Sequence, residues 1–154
     1  MKTRLCSDVL KALEGKTLVT AESLTGGGIG AAITYVSGAS AVYKGGIISY
    51  TNEVKHGVLG VSLETLDVNG AVSLQTAEEM AIGARKLLHA DVAVSVTGLA
   101  GPGGDEYGNP VGTVCIGYCD ANESFAVKYH FDGGREAVRS QTIKAALELV
   151  LDNQ

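Results

Sequence analysis

Three short apolar runs, each trailed by a segment with helical spacing, leave this chain few folds to choose from. TLVT (17–20), GGIISY (45–50) and VAVSV (92–96) have strand length, and VAVSV lacks the polar alternation of a half-exposed strand, so it reads as buried on both faces. Leu5, Val9, Leu10 and Leu13 mark one face of a helix over 4–14, and a second helix is expected from about Gly27 to Val36. A short one follows over 51–59, with Thr51 or Asn52 as its N-cap. Ser73 opens the strongest helical segment, SLQTAEEMAIGARKLLHA, which is acidic near its start and basic toward its end. VGTVCIGYC and ESFAVKYHF predict a hairpin turning at 120–122, and 134–151 a closing helix. The expected fold class is therefore α/β: a three-layer α/β/α sandwich around a mixed, mostly parallel sheet with a C-terminal hairpin. There is no internal repeat and no linker, so 1–154 reads as a single domain, long enough to bury roughly 70% of its unfolded surface.

Composition removes several function classes. The net charge is −5, with no Lys/Arg run and only two Phe, which argues against a nucleic-acid surface. No apolar stretch approaches the ~20 residues of a membrane span. The N-terminal MKTRLCSDVLKALEGK has amphipathic helical spacing and none of the parts of a secretory signal, so a cytoplasmic protein is expected. The three cysteines are an odd number. Cys115 and Cys119 fall on one face of a strand about 13 Å apart, too far for a disulfide, and read as buried thiols. His56, His89 and His130 lack ligand spacing, and no C-x-x-C exists, so neither a metal nor another cofactor is expected.

Chemistry concentrates in three segments. In TLVTAESLTGGGIGAAI (17–33) the glycines satisfy G-x-G-x-x-A, but AESLT separates them from the strand and no acidic residue follows some twenty positions on, so a dinucleotide fingerprint is weak. No Lys-Ser/Thr follows them, which excludes a P-loop. A plain tight turn stays open. So does a strand–turn–helix that presents Ser23 as a nucleophile, with Thr25 and the amides of Gly26, Gly27 and Gly28 at a helix N-terminus to hold an anion or oxyanion. Such a serine needs a base. SYTNEVK places Tyr50 at a strand end and Lys55 five residues later, and a desolvated lysine can lose its proton. Taken alone, Lys55 reads more readily as a solvated surface lysine and Tyr50 as a rim aromatic. The third segment, TGLAGPGGDEYGNPVGTV (97–114), is either a surface connection or a ligand loop at a strand's end.

TAESLTGG, GGIISYTNEVK ending in LGV, GAVS, TGLAGPGG and PVGTV, in this order and spacing, closely resemble the CinA C-terminal domain family, whose members are bacterial nicotinamide-nucleotide amidohydrolases, over about residues 5 to 150. The resemblance implies a three-layer α/β/α fold and metal-independent hydrolysis of the carboxamide of nicotinamide mononucleotide to the acid and ammonia. It matches Ser23 with the family's nucleophile, Tyr50 and Lys55 with the Tyr and Lys of Y-x-N-x-x-K, and Thr97 with the Thr opening T-G-I-A-G-P. Asn52 and Gly98 fall inside the same motifs. A substrate phosphate would be met by backbone amides, by hydroxyls such as Ser40 or Thr97, or by Arg135 and Arg139, which also read as ordinary helix-surface charges. The partner is a small nucleotide substrate, and a homo-oligomer (dimer or higher) is expected. A catalytically silent, nucleotide-binding member of the family is the alternative. Leu24 stands where the family usually has Cys, Leu74 where it has Glu, and Gly134 where it has Asp.

Overall fold

A computed structural model describes residues 2–154. The apolar runs become strands β1 (Leu18–Glu22), β2 (Tyr43–Ile48) and β3 (Val92–Gly98), followed by the hairpin β4 (Thr113–Cys119) and β5 (Ser124–His130). The helices are α1 (Lys2–Ala12), α2 (Gly28–Thr34), α3 (Asn52–Gly57), α4 (Leu63–Val68), α5 (Leu74–Leu87) and α6 (Arg135–Asp152), with a 3₁₀ turn at Ala39–Ala41. Cap chemistry sets several starts. The Ser73 hydroxyl accepts the Thr76 N–H at 3.1 Å before α5, and Thr51 and Ser62 cap α3 and α4 in the same way. α4 was not expected, because six residues show less than two turns of periodicity.

The strand order is β2-β1-β3-β4-β5. β1 pairs in parallel with both β2 and β3, whereas β4 is antiparallel to both β3 and β5. Four strands thus share one direction and β4 alone opposes them, although two of the four pairings are antiparallel. On one face, Val92, Val94 and Val96 join Leu18 under α1, α2 and α6. On the other, Val19, Ala21 and Ala93 pack against Met80, Ala81 and Ala84 of α5. The period-2 alternation of the strands therefore fills two cores, and the three-layer sandwich expected from the sequence is the fold observed. α5 lies close against β4 because position 117 is glycine; a Cβ there would collide with the Ala77 carbonyl.

β1 runs two residues past its expected end. Glu22 looks like a strand terminator, yet it is only 2% exposed. Its carboxylate accepts hydrogen bonds from the Thr25 hydroxyl at 2.6 Å, the Ile29 N–H at 2.8 Å, the Gly30 N–H at 3.0 Å and the Thr20 hydroxyl at 3.2 Å. A carboxylate taken out of water is tolerable when its lone pairs are met this completely, and here it also meets the positive end of α2. It fastens the end of β1 to the start of α2, so the intervening turn is held at both ends. Glu22→Gln puts an amide donor against these donors and weakens bonds worth ~1.5–3 kcal/mol each, so we expect a loss of about 2–4 kcal/mol in urea unfolding.

Candidate active site

The carboxyl ends of the parallel strands β1, β2 and β3 lie at one end of the sheet, and the adjacent β1 and β3 send their connections to opposite sides, β1 toward β2 and β3 toward β4, the usual place for a ligand crevice in an open α/β sheet. A cavity of about 320 Å³ opens there. Ser23 and Leu24 line it from the end of β1, Tyr50, Asn52 and Lys55 from the β2–α3 segment, and Thr97 and Gly98 from the end of β3. The loop Leu99–Gly103, Ala71, Val72 and Arg135 complete it.

Ser23 extends the ladder of β1, its N–H donating to the Val96 carbonyl at 3.0 Å. Strand alternation then turns its side chain away from the Glu22 side. It faces Lys55, which the short α3 carries inward. Lys55 is 2% exposed, and its Nζ donates to Ser23 Oγ at 3.0 Å and to the Ser49 carbonyl at 2.9 Å. No carboxylate compensates the ammonium, so burial alone pushes its pKa down from 10.5 to about 8. The neutral amine is thereby made more accessible near neutral pH, and set against the serine hydroxyl it can accept its proton.

The rim is different in character. Tyr50 is 59% exposed, and its hydroxyl accepts from Arg135 Nη2 at 3.2 Å. Arg135 Nη1 donates to the Gly101 carbonyl at 2.7 Å, bridging the 97–112 loop and the β2–α3 segment. Among the described residues, the one carboxylate–cation pair within 4.0 Å is His130 with Asp132, on the surface. Lys55 and Arg135 therefore leave a positive cavity in a chain whose net charge is −5. Thr97 is buried, and its hydroxyl donates to the Ala71 carbonyl at 2.7 Å, which fixes the wall formed by Ala71 and Val72.

Other residues singled out in the sequence lie outside the lining. Ser40 is exposed on the 3₁₀ turn. The Gly26 N–H donates to the Ser23 carbonyl at 3.1 Å, and the Gly28 N–H to the Thr25 carbonyl at 2.9 Å, so those two amides are engaged within the turn rather than turned to a ligand. Gly27 is the N-cap of α2, with φ of 102°, a conformation glycine adopts readily. The α2 terminus itself is filled by Glu22, to which Thr25 also donates. Arg139 is half-buried beneath the turn, its Nε donating to the Leu24 carbonyl at 2.9 Å and its Nη2 to the Thr25 carbonyl at 3.0 Å. Sequence reasoning passed over Glu22; the one available signal was an acid placed directly at the end of an apolar strand. Ala71 and Val72 belong to the GAVS motif, to which the sequence assigned no place in the site.

The family model for the CinA C-terminal domain matches residues 2–153. The chain is 47% identical over 135 residues to a CinA-like protein of Endomicrobium trichonymphae, covering 88% of this chain and 32% of that protein. It thus spans about a third of the length of the curated relatives it matches. Among solved structures, a competence-damaged protein (CinA) superfamily protein from Klebsiella pneumoniae superposes with a TM-score of 0.96 at 36% identity, covering 99% of this chain and 96% of that one. A competence/damage inducible protein from Agrobacterium tumefaciens does so with a TM-score of 0.94 at 40% identity, again covering 99% and 96%.

The geometry at Lys55 has a direct spectroscopic test. In protein labelled with ¹⁵N-lysine, one Nζ resonance should titrate near pH 8 and should vanish in Lys55→Met. A full set of lysines titrating together near their ordinary value would contradict the buried, uncompensated ammonium.

Proposed function

This chain belongs to the CinA C-terminal domain family, and on that premise we propose that it is a nicotinamide-nucleotide amidohydrolase, converting the carboxamide of nicotinamide mononucleotide to nicotinate mononucleotide and ammonia. The observation that carries the reading is the hydrogen bond of 3.0 Å between Ser23 Oγ and the buried Lys55 Nζ at the inner end of an open, positively charged cavity. In the neutral form Lys55 takes the Ser23 proton as Oγ attacks the amide carbon. The ammonium so formed returns the proton to the departing nitrogen, directly or through Tyr50, and ammonia leaves. Lys55, neutral again, then removes a proton from the water that attacks the acyl-serine; the acid is released and Ser23 regains its hydrogen.

Arg135 supports the choice of substrate. A guanidinium held by two neutral oxygens at a cavity rim keeps its charge available for an anion and its planar fork suits phosphate oxygens. The reacting carboxamide is small and neutral, so most of the binding energy must come from the ribose phosphate. The cavity volume falls within the range for small-molecule sites.

Purified protein should release ammonia from nicotinamide mononucleotide. Ser23→Ala should lower kcat by several orders of magnitude while leaving substrate binding nearly intact; a variant keeping more than roughly a tenth of the activity would leave direct attack by water instead. Lys55→Arg should be nearly as damaging as Lys55→Ala, because a guanidinium does not give up its proton. The proposed base works only when neutral, so kcat/KM should climb up to about tenfold per unit as pH rises toward 8 and flatten above it. A rate independent of pH between 6 and 9 would remove Lys55 from the base role.

Nicotinamide riboside, which lacks only the phosphate, should be turned over at least about a hundredfold less efficiently than the mononucleotide, since a charge-assisted phosphate site is worth roughly 3–5 kcal/mol. Arg135→Gln should narrow that gap chiefly by weakening the mononucleotide. Equal kcat/KM for the two substrates would mean that the rim holds no phosphate.

A further inference from the structure

An acyl transfer at Ser23 needs donors for the oxyanion, and the Gly26 and Gly28 amides next to it are already hydrogen-bonded within the turn, while the N–H of Ser23 itself donates to the Val96 carbonyl of β3. We propose that the oxyanion is held by the backbone N–H of Leu24, and that Arg139 is the positioning residue that fixes the turn presenting it. This inference rests on the reading of Ser23 as the nucleophile.

Three successive peptide units of the turn are pinned through their carbonyls. The Ser23 carbonyl accepts from the Gly26 N–H at 3.1 Å, and in a planar trans peptide this directs the Leu24 N–H to the opposite side. The Leu24 carbonyl accepts from Arg139 Nε at 2.9 Å, and the Thr25 carbonyl from Arg139 Nη2 at 3.0 Å and from the Gly28 N–H at 2.9 Å. Leu24 lines the cavity next to Ser23, and its own N–H has no acceptor among the described residues. The Thr25 and Gly27 N–H groups also have no acceptor among the described residues, but of these three donors Leu24 alone adjoins Ser23 and lines the cavity.

Arg139 is suited to hold that arrangement. Its rigid fork spans two successive carbonyls, and no carboxylate neutralises it within 4.0 Å among the described residues. Its charge polarises the Leu24–Thr25 peptide that follows the proposed donor. Ile143, one helical turn further along α6, meets Gly28 closely, where a Cβ would crowd its Cδ1. The same face of α6 thus supports the turn at two points, with Arg139 nearer the serine.

The test uses acylation of Ser23 by p-nitrophenyl acetate, a reagent with no phosphate, in the wild type, Arg139→Ala and Arg139→Lys, with Ser23→Ala as the blank and unfolding in urea to confirm folded variants. We expect Arg139→Ala to lower the acylation rate constant by about a hundredfold, the size of losing an oxyanion donor, with little change in the half-saturating reagent concentration. Arg139→Lys should recover part of the loss, and millimolar guanidinium, too dilute to unfold the protein, should recover part of it for Arg139→Ala. An acylation rate in Arg139→Ala within threefold of wild type overturns the proposal, as does a folded Arg139→Ala that guanidinium and lysine both fail to rescue. Should the wild type acylate but release no ammonia from nicotinamide mononucleotide, the substrate assignment fails and the role of Arg139 is still decided by the comparison of variants. Absence of acylation at Ser23 in the wild type overturns both.

Discussion

Burial of the Glu22 carboxylate against the start of α2 is the interaction from which the site is built. Four donors meet it, two hydroxyls and two backbone N–H groups, so the acid requires no cation. That leaves Lys55 without a carboxylate partner, although an acid and the serine it bonds to are consecutive in sequence. The separation comes from the pleat of β1, which sends neighbouring side chains to opposite faces: Glu22 to the α2 side, Ser23 toward α3. Were Glu22 to reach Lys55 instead, the ammonium would be stabilised and its pKa held up. A depressed lysine pKa in this protein therefore depends on an acid that is satisfied elsewhere.

The same economy of contact explains how elements distant in sequence converge. Three parallel strands end at one edge, which brings Ser23, the Ser49 carbonyl and Thr97 together without any long-range ion pair. Helix α6 then closes the edge from the outside. Arg135 in its first turn reaches the rim, and Arg139 one turn later reaches the turn after Ser23, a spacing of four residues that places both on one helical face. The cavity rim and the turn after Ser23 are consequently braced by a single helix.

Much of this was legible in the residues. The short apolar runs and the caps at Thr51 and Ser73 specified strands and helices because burial and capping are local to a few positions, and the ordered motifs around Ser23, Tyr50, Lys55 and Thr97 pointed to one end of the sheet. What could not be read were the destinations of backbone groups. Glycines 26 to 28 looked like free amides because composition shows only that a backbone is bare, whereas the turn hydrogen bonds that engage Gly26 and Gly28 depend on the tertiary path. Arg139 looked like a phosphate ligand or a surface charge for the same reason: its acceptors, the Leu24 and Thr25 carbonyls, lie more than a hundred residues away and carry no side-chain signature. α4 escaped notice because six residues hold too few turns for a pattern.

Every cation of the site is anchored on main-chain oxygen: Lys55 on Ser49, Arg135 on Gly101, Arg139 on Leu24 and Thr25. A substitution can delete a side-chain acceptor, but it cannot delete a carbonyl. The vulnerability of this charge layout to replacement is therefore one-sided, resting on three basic positions and hardly at all on the identities of the residues that receive them. The side chains of Leu24 and Ser49 can change without discharging or releasing the groups they hold, whereas Gly101, at a φ of 103°, is held by its backbone shape.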